Sequence, residues 1–302
     1  SYLLNVKISG LNSFSFRLTN VIIHSLLCAV LYVLFLRFWG DRKISFLSAI
    51  LFAVHPIHSE AVIPASGRAD LLATLFLSLG MIFHMGRNSF RIACIFLCSL
   101  FAALSKEFGV LLLPLCVMYD IVFRNCEFRK KVLEFKFSPL FSYFASLTSI
   151  ALYFGMRIFL VSQPFPKFSE AHFWSDNHLG LLSFWGRLPT ALWLQVQAIW
   201  KFIYPVALSH DYSYAQIIPI YSVSDLRNLQ TIICMFIILA LLYFIILTGR
   251  KVLLFCLAAY FISVLPTANI IVPTGTIFGE RLFYFPTVFL CLFIVGLIYV
   301  AI

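Results

Sequence analysis

Charged residues are scarce in this chain. Only 12 of 302 residues are acidic, and Asp, Glu, Lys and Arg together make up 11%, against roughly 25% in soluble domains. So little charge, beside 62% hydrophobic residues, excludes an ordinary soluble domain. No Asn-x-Ser/Thr glycosylation sequon occurs, and neither an internal repeat nor a low-complexity run is visible. The cysteines offer no disulfide framework: Cys28, Cys94, Cys98, Cys116, Cys234, Cys256 and Cys291 lie inside apolar runs and Cys126 lies in a basic loop, whereas disulfide scaffolds hold their cysteines on an oxidising face. Cys94 and Cys98 are one helical turn apart, but no third or fourth ligand accompanies them, so no metal site is expected.

What is present is a series of apolar runs. Those near 17–38, 139–161, 229–249, 252–272 and 282–302 each reach the roughly 20 residues that a helical span requires. Shorter runs occupy 44–54, 71–84, 92–104 and 108–123. The expected architecture is an all-α polytopic membrane protein, with residues 1–302 forming one membrane domain of about nine spans.

The tips between runs are of two kinds, and they alternate. One kind is basic: Arg37/Arg42/Lys43, Arg87/Arg91, Arg124/Arg129/Lys130/Lys131/Lys136 and Arg250/Lys251. The other mixes both signs with histidine: 55–70, 105–107, Asp211 and Glu280–Arg281. A chain that crosses repeatedly puts alternate tips on alternate sides, and Lys/Arg excess marks the cytoplasmic side. The mixed tips therefore belong on the lumenal face. This sidedness also accounts for the net charge of +10 without a nucleic-acid partner.

Residues 163–227 form the long lumenal segment, rich in Pro, Trp and Tyr. Its stretch 185–204 could pass for a span, but a crossing there would carry Arg250 and Lys251 into the lumen. Its tryptophans suit the headgroup level, so an interfacial or re-entrant helix is expected. Residues 1–16 read as a lumenal juxtamembrane segment. The hairpin between Arg91 and Lys106 is short: its residues span about 21 Å as helix, against a hydrocarbon core of about 30 Å. Either the helices run on through their polar tips, or the tips sit below the lumenal surface.

The candidate site residues lie on those tips. His55-Pro56-Ile57-His58-Ser59-Glu60 offers three polar side chains past a helix-breaking proline. Metal binding, substrate contact and a capped helix end with satisfied imidazoles all fit it, because H-x-x-H alone is too few ligands for zinc. Gly67-Arg68-Ala69-Asp70 reads as a helix start, with Asp70 favoured by the dipole. Lys106 and Glu107 read equally as an ion pair between neighbours in a tight turn or as site residues. Glu280–Arg281 repeats the theme, and Arg suits phosphate through its planar fork. Arg68, Lys106, Arg281 and Arg157 on one face could hold a lipid phosphate.

The strings LFAVHPIHSEAV and GRADLLA, then ALSKEFGVLLLPLCVMYD, PFPKFSEAHFWSDN, LSHDYSYAQIIPI and GERLFYFP together resemble the TMTC family, the transmembrane and tetratricopeptide-repeat-containing protein O-mannosyltransferases. Residues from about 155 to 227 resemble that family's DUF1736 segment. The resemblance implies a GT-C-type fold in the endoplasmic reticulum membrane. It also implies dolichyl phosphate mannose as donor and transfer of mannose to Ser or Thr of lumenal clients such as cadherins. It assigns no metal. On this reading Arg281, Lys106 and Arg68 face the departing phosphate, while His55, His58, Glu60 and Asp211 shape the sugar pocket; Asp70, Glu107 and Glu280 are further candidate contacts to the lipid phosphate or the sugar. The family's first membrane helix with its lumenal loop, which carries the expected catalytic acid, and its repeats are not seen in this sequence. Phe108 also stands where the family pattern has Gln. A non-catalytic membrane scaffold is the alternative, and a transporter is less favoured without repeats or midplane charges.

Overall fold

The two-residue turn at Gly40–Asp41 illustrates how this chain reverses. Gly40 ends helix α2 (Ser13–Trp39) in the left-handed region at φ 81°, a conformation a side chain disfavours. Asp41 then caps helix α3 (Arg42–Val54), its carboxylate accepting from the Lys43 and Ile44 N–H groups at 2.7 and 3.0 Å. The turn at Gly249 begins alike, with φ 63°, but Arg250 gives the next helix no side-chain cap.

The computed structural model describes residues 1–86, 90–131, 139–163, 168–210, 212–214 and 216–302, the side chains of 125–131 excepted. The described residues hold helices and no strand. A short helix α1 (Tyr2–Ser9) precedes α2 and α3; α4 (Ser59–Val62) and α5 (Arg68–Met85) follow, then α6 (Arg91–Ser105), α7 (Leu112–Lys131) and α8 (Pro139–Val161). After these come α9 (Glu170–Asp176), α10 (Phe184–Ile203), α11 (Leu226–Thr248), α12 (Lys251–Val264) and α13 (Pro286–Ala301). All nine expected runs contain helix, but two are shorter than expected: α12 stops at Val264, with a 3₁₀ turn over 265–267, where Pro266 cannot continue the ladder, and α13 begins at Pro286. The protein is an all-α membrane protein.

By length and composition, four helical segments can cross a membrane unaided: Ser13–Trp39, Ala65–Met85, Pro139–Val161 and Leu226–Thr248. Arg42–Val54 with Pro56–Val62 would make a fifth, but the two parts bend apart by 51°. The bend falls at His55–Pro56, where proline cannot continue the hydrogen-bond ladder. Helix α6 ends likewise at Ser105; Lys106 is extended (φ −156°, ψ 151°) before a 3₁₀ turn over 107–111. The short helices therefore do not run straight on through their polar tips. Helix α10 is long enough to cross but is not among the segments apolar enough to do so.

Helix α5 is the axis: 67% of its apolar window is buried, against 11% for α11. It packs on α2, α6 and α7. The core runs through Leu31, Phe35, Phe52, Leu71, Leu77, Phe255, Tyr284 and Phe289. The peripheral α11 keeps apolar side chains all round because lipid is its solvent.

Candidate functional site

The mixed tips contact one another. Arg281 lies in a 3₁₀ turn (Glu280–Phe283) that packs against α4 and the turn at Pro56–His58. Its backbone N–H donates to Glu60 Oε2 at 2.8 Å, and its guanidinium Nε lies 3.6 Å from Glu60 Oε1. That is beyond hydrogen-bond reach. Among the described residues the guanidinium makes no hydrogen bond, and its side chain is 33% exposed. Arg281 is therefore a cation held in place through its backbone and loosely ion-paired with Glu60, and among the described residues its fork makes no hydrogen bond.

Glu280 faces the opposite way and is almost fully buried. Its Oε1 accepts from the Tyr212 hydroxyl and from the Ser209 N–H at 3.3 Å, with Lys201 Nζ at 3.5 Å. Its Oε2 is buried without a hydrogen-bond partner among the described residues. The Tyr212 phenol is pushed up by burial and by its bond to Glu280, so it stays a donor. Glu60 lies past the 51° break, outside the straight part of the span. Burial pushes its carboxyl up to about 7, Arg281 pulls it down, and the neighbouring Glu280 charge raises it. A proton on Glu60 lets this pair avoid two adjacent buried charges.

Asp70 and Lys106 complete the cluster. Lys106 Nζ lies 2.5 and 2.7 Å from the two Asp70 oxygens, and Arg281 acts on Asp70 electrostatically. This corrects the expected pairing of Lys106 with Glu107. Because Lys106 is extended, adjacent side chains diverge; Glu107, 56% exposed, meets Arg157 at 3.2 Å instead. Among the described residues, three acids (Glu60, Asp70, Glu280) and three cations (Lys106, Lys201, Arg281) thus gather at these tips, the Asp70–Lys106 pair joined to the others through the electrostatic reach of Arg281.

Arg68 departs from expectation. It is fully buried, with Nε on Asn20 Oδ1 at 2.9 Å, Nη1 on Asn5 Oδ1 at 2.6 Å and Nη2 on the Phe16 carbonyl at 3.1 Å. Its guanidinium carbon sits 4.7 Å from the centre of the Tyr2 ring. The geometry makes Arg68 a clamp for the segment 1–20, its donors already engaged, rather than a phosphate contact.

The two histidines take the capped-end reading. His55 stacks on Phe202 at 4.1 Å, and its Nε2 meets the Phe202 carbonyl at 2.8 Å, while Nδ1 accepts from the Ile57 N–H. His58 Nδ1 meets the Phe52 carbonyl at 2.7 Å and its Nε2 lies 2.8 Å from Thr287 Oγ1. Among the described residues no three potential ligands gather as a metal site. Asp211 lies outside the described residues.

A cavity of about 290 Å³ is lined by Ser59, Glu60, Ile63, Leu208, His210 and Glu280. It shares Ile63, Pro64 and His210 with a more apolar cavity of about 580 Å³ that reaches Leu11, Phe16 and Arg17. Sequence reading missed Tyr212, Lys201, Ser209 and His24. His24 Nδ1 lies 2.6 Å from the Tyr284 hydroxyl; a lone histidine inside an apolar run was its available signal. Tyr212 and Lys201 carried none, being ordinary residues of an aromatic-rich segment.

A polytopic helical membrane protein with one continuous charge cluster at its mixed-tip end is the class these features define. Comparison with known proteins sharpens it. The family model described as Protein O-mannosyl-transferase TMTC, DUF1736, matches residues 164–239. Protein O-mannosyl-transferase TMTC2 of Mus musculus is 31% identical over 250 residues, covering 77% of this chain and 29% of its own length. The Homo sapiens relatives TMTC3 and TMTC1 are 28% and 29% identical, covering 97% and 98% of this chain but 34% and 37% of their own lengths. No solved structure matches the chain. The chain belongs to the TMTC family, and it spans about a third of the length of these relatives.

Proposed function

We propose that this chain is the membrane part of a protein O-mannosyltransferase of GT-C type, seated in the endoplasmic reticulum membrane and using dolichyl phosphate mannose to modify Ser or Thr of lumenal proteins, cadherin-like ones among them. The single observation that carries this reading is the backbone-anchored guanidinium of Arg281, which makes no hydrogen bond among the described residues and lies among charges of both signs. The names of the relatives, all protein O-mannosyl-transferases, support it further. In such a transfer the acceptor hydroxyl attacks the sugar's anomeric carbon, the carbon–oxygen bond to phosphate breaks, and the phosphate leaves with the electron pair. A preorganised cation at the phosphate stabilises that developing charge. Arg281 supplies it, with the Asp70–Lys106 pair beside it. The base for the acceptor hydroxyl is assigned to no residue of this chain. The 580 Å³ cavity rimmed by Arg17 is the candidate path for the polyprenyl tail.

The test is donor-lipid binding and mannosyl transfer in the full-length protein. Arg281→Ala is expected to lose binding, and Arg281→Lys to recover it only partly, because Lys lacks the planar fork. Unchanged binding by Arg281→Ala removes this residue from the site. Wild-type protein that binds no lipid phosphate turns the reading to a membrane scaffold.

A further inference from the structure

Among the described residues the cluster has equal numbers of formal acids and cations, so their capacity to attract an anion depends on which acid is silent. Glu60 contacts Arg281 through one oxygen at 2.8 Å from the backbone N–H and another 3.6 Å from Nε. On its other side lies Glu280, whose Oε2 is buried and unpartnered while Oε1 is saturated by Tyr212 and Ser209. A buried acceptor without a donor is costly; the carboxyl of Glu60 beside it is the group that can supply one.

We propose that Glu60 is an internal competitor for Arg281: it turns to Glu280 with a shared proton when the ligand's phosphate occupies the guanidinium, and returns to Arg281 when it ionises. The inference rests on the reading of Arg281 as a phosphate contact and deepens it. DUF1736 enters here in a definite role. Its Ser209 and Tyr212 donate to Glu280 Oε1 with Lys201 close by, which leaves Oε2 as the acceptor a proton on Glu60 can meet.

The other ionisable groups facing Glu60 do not displace this assignment. Helix α4 packs against α2, α5 and the flanking turns. At this end those elements carry Arg17 and His24, Arg68 and Asp70, and His55 and His58. Asp70 is held by Lys106, and Arg68 by Asn5 and Asn20. The rings of His24, His55 and His58 each engage a backbone carbonyl. His210 lines the same cavity. With the Glu60 carboxyl near 7, acid conditions leave it neutral and the cluster net positive; alkaline conditions ionise it and restore Arg281's internal counter-ion.

The probe is a short-chain polyprenyl phosphodiester of a hexose, whose single charge does not titrate near neutrality. Its affinity for the full-length protein in nanodiscs is expected to fall about tenfold from pH 6 to pH 8. Glu60→Gln should bind more tightly than wild type at pH 8 and lose most of the pH dependence. Should Glu60→Gln fail to fold, Glu280→Gln removes the charge that keeps Glu60 protonated, and its transition should move to lower pH. Binding that is independent of pH in wild type, or weakened at every pH by Glu60→Gln, overturns the competitor role while leaving Arg281 as the phosphate contact. Absence of diester binding by wild type at every pH overturns both.

Discussion

Lys106 and Glu107 are neighbours of opposite charge that serve different partners. Lys106 neutralises the buried carboxylate of Asp70, while the more exposed Glu107 meets Arg157. Removing one member of a buried pair strands the other at a cost of about 3–5 kcal/mol, and the partial exposure of Lys106 places this case at the low end. Lys106→Met should therefore lower the melting temperature in detergent strongly. Glu107→Gln should cost less than about 1 kcal/mol, as for exposed pairs. Equal effects of the two variants would refute the assignment. At the same scale Glu60, with its carboxyl raised by burial, opposes folding increasingly as pH rises from its ordinary range towards 7. Glu60→Gln should accordingly stabilise the protein at neutral pH and lose that advantage in acid, as read by melting across pH.

Among the elements, the broken helices carry the charge cluster. The turn after Lys106 is possible because Gly109 approaches the backbone of α6 closely: a Cβ there would lie 2.1–2.3 Å from Ala102 and Ala103 atoms. Gly67 stands in the same relation to Ala61, 1.9 Å from its carbonyl oxygen. Neither obstacle is a flexible side chain, so neither can move aside. Gly109→Ala should cost towards the upper end of about 1–3 kcal/mol and displace Lys106 from Asp70, which thermal melting and donor-lipid binding together would register. At the basic end a second buried knot serves stability: Asp120 meets His84 at 3.1 Å, Arg124 at 2.8 Å and the Tyr143 hydroxyl at 2.5 Å, tying α5, α7 and α8.

On the scale of the whole molecule, the expected sidedness turns on the long segment after α8. The segment 168–227 reaches the final mixed tip at several points: His172 on the Gly275 carbonyl, Asn177 on Asn269 and Thr274, Arg187 on Ile270 and Ile271, Tyr212 on Glu280. Such contacts are compatible with a segment that stays on one face. Single cysteines at Ser169 and Ser222, on a background lacking Cys126, should label from the same side of sealed microsomes. Labelling from opposite sides would mean that α10 crosses.

Composition and charge order determined by themselves that the chain is a helical membrane protein with its reactive tips segregated, because lipid tolerates little charge and only self-satisfied backbone. They also pointed to Glu60, Asp70, Lys106, Glu280 and Arg281, since ionisable groups in such a chain are few. Partners were decided only by tertiary structure. Helices in lipid are apolar on packed and exposed faces alike, so periodicity does not say that α5 is the axis or α11 the rim. Nor does sequence distance say that Arg68 closes on Asn5 and Asn20, that Lys106 skips Glu107 for Asp70, or that Tyr212 and Lys201 reach Glu280. Those pairings arise where broken helices and a long folded-back segment bring distant tips to the same few ångströms, a meeting that depends on the path of the chain in space.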